Sequence, residues 1–227
     1  ELLARRPDIR RLFLVGSCPS EVIKLDLANA AARLQGVHEN RLRISAFSGS
    51  GIETTFTQGE DQCLASMVPD LPVAPEGSQR RMVVGTLADI IEEQFRRHFA
   101  QVGITDVDFF PAARADDLPP VGPGTRLLLA QPYLSDTVSA LCKRGAKLVS
   151  ATYPLGVEGT LAWFQAAAAE WGVGAESVKE SLAIPIARAQ KSLAKARESL
   201  QDRTIHFLPD SQLELPLARF LRDECGM

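Results

Sequence analysis

The sequence predicts an α/β fold made of repeated doubly wound parallel sheets. Two observations carry that prediction. Short apolar runs of strand length recur at residues 12–15, 81–85, 107–110, 126–130 and 147–150. Between them lie stretches with apolar side chains at helical spacing, such as Ile91, Phe95, Phe99 and Val102. Strands that alternate with helices build parallel sheets with right-handed crossovers.

The first unit begins with Leu12-Phe13-Leu14-Val15, a buried strand bounded by Gly16. After Ser17-Cys18-Pro19-Ser20, the residues Val22, Ile23, Leu27, Ala30, Ala31 and Leu34 fall on one side of a helix. Pro19 fits the first turn of that helix, where a missing N–H costs nothing. Cys18 is therefore expected at the carboxyl end of a strand and against a helix N-terminus. In open α/β sheets ligands gather there, and the helix dipole favours a thiolate. The placement suits metal ligation or nucleophilic attack; on spacing alone a small buried hydrophobe is an equal alternative. Residues 41–47 read as a second strand and Gly49-Ser50-Gly51 as a flexible turn. Glu53-Thr54-Thr55 is either loop or helix start, with a helix from Glu60 through Cys63, Leu64 and Met67. Pro69, Pro72 and Pro75 then mark a linker and a domain boundary.

The second unit carries helices over 88–102, 136–144 and 160–171, with an exposed loop rich in proline and glycine over 112–124. Residues 175–201 read as two helical pieces hinged near Pro185, with a solvated basic face. Residues 204–208 read as a strand and 213–224 as a helix. The expected division is 1–78 for the later part of a first α/β domain and 79–174 for a second. Residues 175–227 form a helical connector and the first βα unit of a third. Glu1 is not Met, and one βα unit cannot bury its own apolar face, so the chain reads as an internal fragment of a longer protein.

Composition narrows the function classes. Hydrophobic content of 45%, charged content of 23% and a net charge of −3 describe an ordinary globular protein with no electrostatic reason to bind nucleic acid. No apolar run has the length of a membrane span, and no signal-peptide pattern opens the chain. Cys18, Cys63, Cys142 and Cys225 are scattered without a C-x-x-C pair, which argues for a reducing intracellular setting and no disulfide framework. Cys63, Cys142 and Cys225 read as packing residues. His38, His98 and His206 are isolated and support neither zinc nor triad chemistry. The Gly49-Ser50-Gly51 segment lacks the lysine of a phosphate-binding P-loop. Glu53, Glu60 and Asp61 suit acid/base work, and surface carboxylates at a helix start explain them equally well, so no catalytic role is assigned. Tyr153-Pro154-Leu155-Gly156-Val157-Glu158-Gly159-Thr160 follows a strand and opens a helix, with Gly159 or Thr160 as the cap.

Three segments, SCPSEVIKLDL at 17–27, FSGSGIETTFTQGED at 47–61 and YPLGVEGT at 153–160, resemble the N-subunit family of light-independent (dark-operative) protochlorophyllide reductases. That family lies within the nitrogenase component 1 superfamily, and the resemblance runs through essentially the whole chain. It implies Rossmann-like domains of the nitrogenase component 1 type. It implies that Cys18 is one of three cysteines by which such subunits bind a [4Fe-4S] cluster, the fourth ligand being an aspartate of a partner B subunit. The other two cysteines would precede residue 1, so this chain alone would lack a full ligand set. The 49–55 loop would lie near the cluster and the subunit interface, and 153–160 would border the inter-domain cavity. The implied reaction is an ATP- and ferredoxin-dependent reduction of one C=C bond in ring D of protochlorophyllide, giving chlorophyllide a. The implied setting is an N–B heterotetramer in the bacterial cytoplasm, fed by a separate iron–sulfur ATPase, the L protein, which uses the ATP. Two rivals stand beside it: a chlorophyllide a reductase subunit, and a metallocofactor scaffold without turnover.

Overall fold

Two parallel sheets organise the chain in the computed structural model, which describes residues 2–38, 41–47, 54–114, 116–208 and 211–227. The first is a pair, β1 (Arg11–Val15) and β2 (Arg43–Phe47), with Arg11 opposite Arg43 and Val15 opposite Phe47. Helix α1 (Leu2–Arg5) precedes it, and α2 (Cys18–Val22) and α3 (Leu27–His38) form the crossover. Ala31 of α3 packs on Leu42 and Ile44, with Leu12, Leu14 and Ala46 around them. The Gln35 side chain ties helix to strand. Its Nε2 donates to the Leu42 carbonyl at 3.0 Å and its Oε1 accepts the Ile44 N–H at 2.7 Å.

The continuous helix expected after Pro19 is instead two. Lys24 adopts φ +51°, the Leu25 N–H donates to the Ser20 carbonyl, and Asp26 Oδ1 accepts the Asn29 N–H at 2.9 Å to start α3. An aspartate offers a better helix start than a continuing turn can match. Val22 and Ile23 consequently leave the apolar stripe and stand 74% and 71% exposed.

The second sheet has the order β4-β3-β5-β6, all parallel, from β3 (Arg80–Val84), β4 (Val107–Phe110), β5 (Thr125–Leu129) and β6 (Lys147–Leu148). The chain runs from β3 outward to β4, then crosses to β5 on the other side, which makes the sheet doubly wound. Helices α5 (Asp89–Gln101), α7 (Gly156–Glu170) and α8 (Ala175–Ser181) cover one face. There Val83, Phe109 and Leu128 lie beneath Phe99, Trp163, Phe164 and Trp171. Helices α4 (Phe56–Met67) and α6 (Ser135–Lys143) cover the other, where Leu64, Leu134 and Leu141 pack on Met82, Val84 and Leu127.

Helix α4 starts at Phe56, four residues before Glu60. Thr55 is its cap: Thr55 Oγ1 accepts the Gln58 N–H, and Gln58 Oε1 accepts the Thr55 N–H at 2.9 Å. The proline-rich stretch that follows is partly packed, with Pro69, Pro72, Val73 and Pro75 exposed between buried residues. Val68 and Leu71 are buried in the second core, and Val73 bridges Val121 in parallel fashion. That bridge also buries Val121, so the later part of the 112–124 segment is not an exposed loop. Asp70 receives the Arg11 guanidinium and, at 2.9 Å, that of Arg43, joining the small sheet to this stretch.

Helix α9 (Ala183–Leu200) follows α8 with the joint at Leu182, which leaves Pro185 in the first turn, where no N–H is missed. Residues 204–208 form no strand. No described neighbour offers them a ladder, and Leu208 stands 91% exposed. Helix α10 (Glu214–Asp223) closes the described chain. Among the described residues no helix is long and apolar enough to cross a membrane.

Candidate functional site

The carboxyl edge of the β1–β2 pair presents Cys18. The turn that carries it is pinned from both sides. The Gly16 N–H donates to the Phe47 carbonyl at 2.9 Å, the Ser17 N–H donates to Ser20 Oγ at 2.6 Å, and that hydroxyl donates to the Ser17 carbonyl at 2.7 Å. A Cβ on Gly16 would lie 3.0 Å from Glu21 Oε1 and 3.3 Å from Leu27 Cδ1, so a side chain there would make both neighbouring side chains shift. Cys18 is a free, exposed thiol at the first position of α2. The buried-hydrophobe alternative therefore fails. The dipole argument weakens as well, because α2 has only five residues and sums few peptide dipoles. What positions the thiol is the serine-capped turn.

Among the described residues no group of three or more His, Cys, Asp or Glu side chains converges as a metal site. Cys18 offers one soft thiolate, which fits one corner of an iron–sulfur cluster and no more. Gly49-Ser50-Gly51, Ile52 and Glu53 lie outside the described residues.

On the other side of β2 runs a cleft of about 420 Å³, lined by Phe47, Thr54, Phe56, Glu60, Cys63 and Thr86. Phe56 is 85% exposed beside it. Burial pushes the Cys63 thiol up from its ordinary pKa, with the Glu60 carboxylate adding to the shift and Arg11 opposing it. Glu60 accepts a hydrogen bond from the Tyr133 hydroxyl at 2.7 Å. Burial first, and this carboxylate second, hold the phenol well above its usual range. Tyr133 follows β5 at the switch point between β3 and β5. Across that gap Gln131 Oε1 accepts the Thr86 N–H at 2.9 Å. Sequence reasoning missed Tyr133 and Gln131; their place directly after a strand, beside its neighbour's turn, was the available signal.

Asp61 is not a surface carboxylate. It is 3% exposed and caps α6 from outside, accepting the Asp136 and Thr137 N–H groups at 2.8 Å each and the Thr137 hydroxyl at 2.6 Å. It borders a second, polar cleft of about 780 Å³ between α4, the start of α6 and the start of α10.

The 153–160 turn has a packing purpose. Helix α7 starts at Gly156, so Gly159 and Thr160 lie inside it and neither is the cap. Gly156 has φ +75°, and a Cβ there would fall 2.3 Å from Phe220 Cδ2. The Val157 N–H donates to Glu224 Oε2 at 2.5 Å, and Arg219 bonds both Glu224 and the Leu155 carbonyl. Cys225 is buried as expected of a packing residue, whereas Cys142 is exposed. His98 lies edge-on to Phe164, with Gln101 as its polar neighbour.

The family model described as nitrogenase component 1 type oxidoreductase matches residues 2–227. Relatives named light-independent protochlorophyllide reductase subunit N are 60% identical in Halorhodospira halophila, 57% in Acidiphilium rubrum and 56% in Rubrivivax gelatinosus. Each match covers 100% of this chain and 54%, 53% and 52% of the relative, respectively. The chain thus spans about half the length of the curated relatives it matches. A solved structure titled "Nitrogenase Cp1 at pH 6.5" superposes with a TM-score of 0.72 at 15% identity, over 99% of this chain and 54% of that one, a likeness of fold. On a match that spans all but its first residue, the chain belongs to the nitrogenase component 1 type oxidoreductase family.

Proposed function

We propose that this chain is part of the N subunit of a light-independent protochlorophyllide reductase, acting in the cytoplasm in (bacterio)chlorophyll biosynthesis. The single observation that carries the reading is identity of 54–60% along the whole chain to relatives that bear that name. The reaction is reduction of the ring D C=C bond of protochlorophyllide to chlorophyllide a. It takes two electrons and two protons, delivered with ATP hydrolysis on a separate L protein.

In this reading Cys18 holds one corner of a [4Fe-4S] cluster shared with a B subunit, and the remaining ligands come from outside these residues. The bound cluster supplies single-electron transfer. This chain's own contribution is mechanical. The Ser17–Ser20 turn fixes the thiol's approach, and the Gly16 N–H bond to Phe47 holds that turn against the sheet edge. Phe47, whose carbonyl holds the turn, also lines the neighbouring cleft together with Phe56.

The test is turnover. The parent protein, purified anaerobically with its B partner, is mixed with L protein, ATP and a reductant, and offered protochlorophyllide or chlorophyllide a. Formation of chlorophyllide a from protochlorophyllide supports the reading. Consumption of chlorophyllide a alone would assign the related reductase, and no turnover with either would leave a scaffold.

A further inference from the structure

The 420 Å³ cleft beside the Cys18 turn carries a carboxylate. Among the described residues that line it, Glu60 alone is acidic. The Gly16 N–H bond to the Phe47 carbonyl ties the cleft to the turn that holds Cys18. Phe47 and the exposed Phe56 offer flat apolar faces that suit a planar ring. Glu60 is held from one side. Tyr133, only 7% exposed, donates its hydroxyl to Glu60 Oε2 at 2.7 Å, and the Thr86 side chain bonds the same phenol. Both partners follow strands, Thr86 after β3 and Tyr133 after β5, at the switch point where α/β sheets place their ligands. Asp61, the next residue, cannot share this role, because its carboxylate is buried and committed to the α6 N–H groups. Glu60 is half-buried and opens onto the cleft.

We propose that Glu60 is the acid that protonates the substrate in this cleft, with Tyr133 as the positioning residue that fixes its carboxyl group. The inference rests on the reaction proposed above, which adds two electrons and two protons across a C=C bond. The electrons come from the reductant by way of the L protein, and Glu60 supplies one of the protons. Its O–H bond breaks as a C–H bond forms at one ring D carbon. The carboxylate left behind keeps the Tyr133 hydroxyl as a charge-assisted donor. Water returns a proton to Glu60, and solvent supplies the second proton to the other carbon.

The experiment uses the parent protein with its B partner, L protein, ATP, a reductant and protochlorophyllide. Wild type is compared with Glu60→Gln, Glu60→Ala and Tyr133→Phe for product formation, iron content and the rate at which the cluster is reduced. A positioned acid contributes about 100-fold or more to a rate, so Glu60→Gln is expected to slow product formation by about that factor. Iron content and cluster reduction stay at wild-type values. Tyr133→Phe, which keeps the ring and loses one hydrogen bond to a charged group, is expected to slow product about tenfold, with a larger solvent deuterium isotope effect than wild type. Formate, a small acid that fits the space vacated in Glu60→Ala, is expected to raise that variant's rate about tenfold and to leave wild type unchanged. Wild-type turnover in Glu60→Gln overturns the proposal. So does a loss of turnover that tracks lost iron or slowed cluster reduction, or a Glu60→Ala variant that formate does not restore. Should Glu60→Gln not assemble, Tyr133→Phe decides: slowed product with normal cluster reduction and the raised isotope effect supports the acid, and any other pattern overturns it. Wild type that consumes no protochlorophyllide overturns the reaction itself and the acid with it, whereas active wild type beside an equally active Glu60→Gln overturns the acid alone.

Discussion

Replacing Asp61 by alanine removes an acceptor that α6 cannot replace. Two backbone N–H groups at 2.8 Å and the Thr137 hydroxyl at 2.6 Å end on this one carboxylate, inside a site only 3% exposed. A lost helix cap costs about 0.5–2 kcal/mol, and a buried donor left without a partner about 1–3 kcal/mol. The Thr137 hydroxyl retains the Asp61 carbonyl at 3.0 Å, so it adds little. The sum for Asp61→Ala is about 1.5–5 kcal/mol, centred near 3 kcal/mol. For a chain of this size each kcal/mol lowers Tm by about 2–4 °C, so the expected drop is roughly 10 °C. Asp61→Asn keeps one acceptor and loses about half as much. Thermal unfolding followed by circular dichroism reads both. A drop below about 3 °C for Asp61→Ala, or Asn as damaging as Ala, would show that the cap does not hold α4 to α6 as described.

Two further outcomes test the core and the cleft. Trp163 is fully buried, lies tilted 4.8 Å from Phe95 and edge-on 5.0 Å from Phe164, and donates to the Leu129 carbonyl at 2.7 Å. Trp163→Ala is expected to cost about 4 kcal/mol in urea unfolding, against about 1–2 kcal/mol for Trp163→Phe, which loses mainly the hydrogen bond. Cys63, whose thiol burial raises above its ordinary pKa, stays neutral in the fold where an unfolded thiol ionises. Its contribution is intact below the unfolded pKa of about 8.5 and is eroded as pH climbs from there through the higher folded value. At pH 9 Cys63 should therefore be alkylated at least tenfold more slowly than exposed Cys142, as read by mass spectrometry. Equal rates would contradict the burial.

The second sheet was legible because its inner strands are short apolar runs and its helices carry their own stripes, as with Phe95 and Phe99 against Trp163, whereas the edge strand expected over 147–150 reduces to the exposed pair Lys147–Leu148. Local periodicity fails where a single residue breaks the chain's phase. Lys24 and Asp26 divide one apparent helix in two, since an aspartate cap competes with helix continuation and leaves Val22 and Ile23 in solvent. The T-x-x-Q capping box at Thr55 was readable and would have placed the start of α4. Gly156 and Gly159 could not be read from local pattern, because their need is set by Phe220 and Arg219, some sixty residues on. Asp61 is the same case: its partner helix lies 75 residues away. At the candidate site, the glycine-bounded strand and Ser17-Cys18-Pro19 fixed the position of the thiol. Its exposure followed only from the short, serine-capped α2.

The central claim is that the Cys18 thiolate is a cluster ligand on the electron path. It is tested most directly on the parent protein, co-purified anaerobically with its B partner, by comparing wild type with Cys18→Ala for iron content, cluster absorption and ATP-dependent protochlorophyllide reduction. The account predicts that the substitution removes cluster and turnover together while the N–B complex still assembles. Full iron content with undiminished turnover in Cys18→Ala would contradict it.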